Sequence, residues 1–309
     1  LSNVHEHQMK FMEQFEITLK DGTIRKGNAW SIKDAKANLA LITGMEETSA
    51  RYDDFAKFLN AHGYSVFVLD QYGQGENVDD PSQLGIWEKS GFRKTVNALD
   101  ELVTHLRITC RPIMVMGHSM GSFIVQDYIQ RYSNHVEKAI ICGSCGKQFG
   151  VKVGDRLARI LVNKRNYNKP SKFFHKLAFG GYNKNIKNPR TEFDWLSVNP
   201  DNVDSYIADP KCGYGSSCGF YKEFFKGLNR LHTPRFLAKI RKDLPILLIA
   251  GKDDPVGKYG KGVLSLEKTY QKLGINYVET ILYENMRHEI LNEIDKEKVY
   301  NDILNFLER

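Results

Sequence analysis

The chain reads as an α/β protein, a mostly parallel sheet with helices on both faces, interrupted by one mostly helical insertion. Three observations predict this. Short apolar runs of strand length alternate with helical patterns of roughly ten to sixteen residues, the rhythm of parallel strands joined by helical crossovers. That rhythm stops at about Ser144 and resumes only after Arg241, too long a gap for a plain connection. A glycine-flanked serine, Gly117-His118-Ser119-Met120-Gly121, stands where one apolar run gives way to a helical pattern.

In chain order, residues 15–19 and 24–30 flank the turn dipeptide Asp21-Gly22 and predict an antiparallel hairpin. Residues 38–43 form a short apolar strand. Phe55, Ala56, Phe58 and Leu59 recur at helical spacing within 51–61, and 65–70 is a second strand. After the glycine-rich turn Tyr72-Gly73-Gln74-Gly75 come a helix over 91–106, a strand over 113–117, a helix from Met120 to Arg131 and a strand over 137–142. The rhythm returns with strands over 245–250 and 277–283, each followed by a helix, over 259–273 and 296–307. The expected division is a core of residues 1–143 and 242–309 with a cap of residues 144–241.

Composition narrows the classes. With 309 residues, 41% hydrophobic and 26% charged, disorder, collagen and a disulfide mini-scaffold are excluded. No apolar run approaches the roughly 18 residues of a membrane span. Residues 1–20 mix charges such as His5, Glu6, His7 and Lys10 with apolar residues and lack the apolar core of a secretory signal, although the chain begins at Leu1 rather than Met. Five cysteines are too few and too odd for a disulfide framework, which points to a reducing compartment, the cytoplasm by default. Cys142-Gly143-Ser144-Cys145 has the form of a redox pair but ends a strand instead of opening a helix, so it reads as buried small residues. Cys212 and Cys218 lack metal-like partners and read as free thiols.

The pentapeptide around Ser119 has the strand-turn-helix context of a nucleophile elbow. A serine in a tight, positive-φ turn needs neighbours without bulk where strand and helix approach, and Gly117 and Gly121 supply them. The serine needs a base, and the base an orienting acid. Downstream, His135 precedes a strand at the opposite sheet end, and His175 and His232 fall in the insertion. His288 follows the strand ending at Tyr283 and precedes the last helix, so it shares the carboxyl edge with Ser119 and reads as the base. His118, beside the nucleophile, diverges from it and reads as packing or oxyanion-loop support. Asp253 and Asp254 both follow the strand 245–250; Asp254 is preferred because Pro255 gives that loop a defined exit. Two backbone N–H groups must meet the developing oxyanion: Met120, after the nucleophile, and Met45, in the loop after the strand 38–43.

These residues resemble the α/β-hydrolase fold serine hydrolases of the monoacylglycerol lipase and lysophospholipase type, a bacterial branch of them, over nearly the whole chain. The resemblance is carried by Glu47, Arg51 to Phe55, Gly63 to Val66, Leu69-Asp70, the elbow, Gly251 to Gly257, and Met286-Arg287-His288-Glu289-Ile290-Leu291-Asn292-Glu293. It implies cleavage of fatty-acyl esters such as monoacylglycerols or lysophospholipids, without metal or organic cofactor, with a cap inserted after the sixth core strand and Asp254 as the acid. Two departures stand out. The family's His-Gly at the oxyanion loop is Thr43-Gly44 here, and its Arg-Gly-His-Gly is Tyr72-Gly73-Gln74-Gly75, so a side-chain interaction that steadies that loop is lost or replaced. An aminopeptidase, thioesterase or acyltransferase on the same triad, or a non-catalytic ligand-binding protein of the same fold, are the alternatives.

The formal charge of +7 is local. Residues 147–190 hold twelve Lys/Arg and one acidic residue, Asp155, a net +11, which leaves −4 on the other 265 residues. The expected substrate is the small acyl ester that the resemblance implies; the basic cap is either a solvated face or one that meets an anionic lipid surface or a lysophospholipid phosphate. Nucleic acid is not expected, because no recognition-module signature accompanies the basic segment. The insertion's aromatics, Phe173, Phe174, Phe179, Phe193, Trp195, Phe220, Tyr221, Phe224 and Phe225, are expected to serve mostly as the cap's own core and partly as an acyl tunnel.

Overall fold

The computed structural model describes residues 12–309. The reading of residues 1–20 as free of a signal's apolar core lies largely outside them. Eight strands, β1 (Glu13–Thr18), β2 (Ile24–Trp30), β3 (Ala37–Ile42), β4 (Tyr64–Leu69), β5 (Ile113–His118), β6 (Lys138–Cys142), β7 (Ile246–Gly251) and β8 (Val278–Tyr283), form one sheet in the order β1-β2-β4-β3-β5-β6-β7-β8. The hairpin β1–β2 and the β2–β4 pairing are antiparallel; all other pairs are parallel. In the central strands every residue is buried and successive side chains serve opposite faces. On β5, Ile113 and Val115 join the core beneath α2 (Gly91–Leu106) and α3 (Met120–Tyr132), and Met114 and Met116 join the core beneath α1 (Asp53–Ala61) and α10 (Lys296–Glu308). The connecting helix between β7 and β8, α9 (Lys261–Lys272), begins two residues later than the pattern predicts, because Lys258, Tyr259 and Gly260 have positive φ and cannot extend it.

Between β6 and β7 lie five helices: α4 (Gly150–Leu161), α5 (Lys172–Phe179), α6 (Pro200–Ala208), α7 (Cys218–Arg230) and α8 (Pro234–Leu237). α7 crosses α2 so closely that a methyl at Gly227 would lie 2.2 Å from the Phe92 ring, and Arg230 pairs with Asp127 of α3 at 2.8 Å. On the far side the stretch 194–199 is stitched to the loop after β8. Glu289 N donates to Leu196 O at 2.7 Å, Arg287 Nη1 to Asp194 O at 2.8 Å, and Val198 N to Glu293 Oε1 at 2.9 Å. Cys142 and Cys145 are buried free thiols, as their place at a strand end implies, and Cys212 and Cys218 are also unpaired.

Candidate active site

At the β5–α3 junction Ser119 takes φ +57° and ψ −123°, outside the ordinary basins of a non-glycine residue, and is the N-cap of α3. The flanking glycines are required by close approach. A methyl at Gly117 would lie 2.0 Å from the Gly121 carbonyl oxygen, and one at Gly121 would lie 2.3 Å from that of Ile42 on β3. The turn is anchored by Ser119 N donating to Cys142 O at 3.0 Å.

Two further loops at the carboxyl edge supply a histidine and an acid. His288 Nδ1 donates to Asp254 Oδ2 at 2.9 Å, and Asp254 Oδ1 accepts from Val256 N at 2.8 Å, so the loop around Pro255 presents this carboxylate inward. Asp254, the carboxylate preferred above, is fully buried, whereas Asp253 is exposed. Burial pushes the His288 imidazole down, but the Asp254 carboxylate, aided by Glu289 and Glu47, outweighs it and holds the ring above its ordinary value. His288 Nε2 is buried and has no partner among the described residues. Of the two readings given for His118, the structure shows packing: its Nε2 donates to His288 O at 3.0 Å and its ring lies 4.8 Å from the His288 ring. Trp195 packs on the other ring at 5.2 Å.

The loop after β3 is held by side chains in place of the missing histidines. Gln74 Nε2 donates to Gly44 O at 2.8 Å and its Oε1 accepts from Glu46 N at 2.8 Å, while Gln71 Nε2 donates to Thr43 O at 2.6 Å. The interaction is therefore replaced rather than lost. Gly44 N donates to Glu47 Oε1 at 2.7 Å, which leaves the Met45 N–H, and the Met120 N–H at the first position of α3, unpaired among the described residues. Glu47 also pairs with Arg51 at 3.0 Å, and Arg51 continues to Glu289 at 2.6 and 2.7 Å. Burial would raise the Glu289 carboxyl, but the Arg51 guanidinium brings it down to about 2. This buried chain of charges, invisible in the linear order, ties the loop after β3 to the histidine loop.

Ser119, Met45, Met120 and His288 line a cavity of about 480 Å³ that runs between the sheet edge and the segment 144–241. Five of the nine aromatics named above, Phe179, Phe193, Trp195, Phe224 and Phe225, line it, and three of these, Trp195, Phe224 and Phe225, are at the same time buried in the core. Phe174, Phe220 and Tyr221 are core, and Phe173 is exposed. His175 lines the cavity as well, at the mouth beside Lys176. His135 instead bonds Asp100 at 2.7 Å, far from this edge. Among the described residues no cluster of side chains suits a metal ion.

A family model described as "Serine aminopeptidase, S33" matches residues 33–295. The chain belongs to the S33 serine aminopeptidase family. Among its relatives, the monoacylglycerol lipase of Mycolicibacterium smegmatis is 25% identical over 275 residues, 89% of either chain. The phospholipase YtpA of Bacillus subtilis is 22% identical over 281 residues, 88% of this chain and 95% of that one. A thermostable carboxyl esterase from Bacillus coagulans, solved with glycerol, superposes with a TM-score of 0.87 at 24% identity, over 96% of this chain and 98% of the other. A soluble variant of the Saccharomyces cerevisiae monoglyceride lipase, solved with a substrate analogue, gives 0.76 at 19% identity, over 99% and 97%. The fold of this S33 chain is thus that of the α/β hydrolases.

Proposed function

We propose that the protein is a carboxylic ester hydrolase that cleaves fatty-acyl esters, such as monoacylglycerols or lysophospholipids, through an acyl-enzyme on Ser119. The observation that carries this reading is His288, with one ring nitrogen tied to a buried aspartate and the other unpaired in the cavity that Ser119 lines. Ser119 Oγ attacks the ester carbonyl while His288 Nε2 takes its proton. Asp254 holds the Nδ1–H tautomer and offsets the imidazolium that forms. The Met45 and Met120 N–H groups receive the oxyanion, and the positive end of α3 adds to them. His288 then protonates the departing alkoxide, and water deacylates the enzyme by the same route in reverse.

An aminopeptidase, thioesterase or acyltransferase would use the same three residues. The aromatic wall of Phe193, Trp195, Phe224 and Phe225 favours a long acyl chain over a peptide. A fluorophosphonate probe tests the assignment: it should label Ser119, and Ser119→Ala should lose the label together with at least roughly 10³-fold of p-nitrophenyl ester hydrolysis. An unlabelled wild-type serine, or unchanged hydrolysis by the variant, would reject the reading.

Residues 144–241 act as a cap on a core of residues 1–143 and 242–309, and α4 with α5 forms the face that meets lipid. Phe149 is 85% exposed and Ile160 77%, with Val153, Phe173 and Leu177 also exposed. Lys152, Arg156, Lys172 and Lys176 stand among them, and Gln148, Val151 and Leu177 line the cavity mouth. Apolar side chains ringed by cations suit peripheral binding to an anionic surface. No helix among the described residues is long and apolar enough to cross a membrane.

A further inference from the structure

Two glutamates follow Met45, and the chain satisfies them unequally: Glu46's carboxyl has one donor, the Gly215 backbone N–H. Glu47 accepts hydrogen bonds from Gly44, Tyr52 and Arg51. Glu46 is 4% exposed, lines the cavity beside Ser119, forms no ion pair among the described residues, and leaves its Oε1 without a partner. Its backbone is also held at φ +57°, the left-handed region that a glycine occupies without cost. The conformation is imposed from two sides, by Gln74 on its N–H at 2.8 Å and by Gly213 N on its carbonyl at 3.2 Å. A strained backbone and a buried carboxyl with one oxygen unpaired both oppose folding. Glycine would remove both costs, so the side chain points to a ligand.

The surroundings say which kind. Burial, and then the charge of Glu46, push the phenols of Tyr206, Tyr214 and Tyr221 up, and burial holds the Glu46 carboxyl itself at about 7. The cavity is lined by four carboxylates, Glu46, Glu47, Glu192 and Glu289, against one lysine, Lys176, at the mouth. Arg51, behind the wall, is already occupied by Glu47, Glu289 and Asn202. The cap is cationic outside, whereas the buried carboxylate without an ion pair in the cavity wall, among the described residues, is Glu46.

We propose that Glu46 determines specificity at this site: its carboxyl receives a hydrogen-bond donor, a hydroxyl or an ammonium, on the substrate, and it disfavours esters with an anionic headgroup. The proposal rests on the ester-hydrolase reading. A donor completes the unpaired oxygen and offsets its desolvation only in the complex, whereas a phosphate would be placed beside like charge.

The test uses four esters of one acyl chain: with glycerol, ethanolamine, ethanol and glycerol phosphate. The wild type should favour the glycerol or the ethanolamine ester over the ethyl ester by roughly 10- to 100-fold in kcat/KM, with the phosphate ester slowest. Which of the two leads tells hydroxyl from ammonium. Glu46→Gly should erase that preference, and Glu46→Gln should raise the phosphate ester relative to the others. Because glycine accepts this φ, Glu46→Gly should melt at or above the wild-type temperature. A uniform fall on all four esters, or a lower melting temperature with the order unchanged, would make Glu46 a structural brace and overturn the proposal. A wild type that cleaves none of the four and takes no fluorophosphonate label would instead remove the hydrolase reading, and the proposal with it.

Discussion

His288 is the residue on which the proposed chemistry turns, and its environment has a measurable consequence. A general base works as the neutral ring, so activity falls as pH drops through its pKa. Since Asp254 outweighs burial and holds His288 above its ordinary value, the acid limb of the kcat/KM profile should lie above about pH 6.5. Asp254→Asn removes the stabilising charge: the acid limb should move to lower pH and kcat should drop roughly 10³- to 10⁴-fold. A pH–rate series on both proteins checks this, and an acid limb that stays in place would place the carboxylate outside the histidine's electrostatics. Ser119, His288 and Asp254 were legible in the linear order because turn chemistry and chain order confine them. Glu46 was not. Nothing local tells which of two adjacent glutamates faces Arg51 and which faces the cavity.

Among elements, the loop after β3 shows how a departure from a family pattern is absorbed. Thr43 and Gln74 stand where histidines are usual, and from the chain alone the loop could be steadied or loose. In the fold, Gln74 is 2% exposed and spans Gly44 O and Glu46 N, one side chain satisfying two buried backbone groups. Gln74→Ala would strand both, at a cost of roughly 1–3 kcal/mol in stability. It should also lower kcat by about tenfold or more with little change in KM, since the proposed role of the Met45 N–H, between the two clamped residues, is on the oxyanion alone. Thermal melts and ester kinetics on the variant read both effects; an unchanged kcat would show that the loop is steadied from elsewhere. The insertion is likewise asymmetric. Its 194–199 stretch is bonded to the histidine loop, whereas α4 and α5 flank the mouth with exposed apolar side chains.

At the scale of the molecule, charge and exposure divide the protein into a −4 remainder and a +11 segment that borders the mouth. Binding to vesicles should require anionic lipid and weaken as salt rises, because exposed charges are screened beyond about 10 Å at 0.1 M. Phe149→Asp with Ile160→Asp should weaken it further even at low salt, since both side chains are exposed and apolar. Co-sedimentation measures each effect; equal binding to neutral vesicles would leave no role for the cap's charge. Much of this organisation can be read from residue order: strand-length apolar runs, helix spacing, the interruption after residue 143, the elbow and the basic segment all follow from local pattern. Patterns of that kind record which face of an element is apolar and how tightly a turn must close. They carry no information about residues that meet across long stretches of chain. His118 under His288, Gln74 across Gly44, the Arg51 bridge from Glu47 to Glu289, and a cavity lined by both carboxylates and the basic 144–241 segment exist only because the parallel sheet brings four loop ends to one edge.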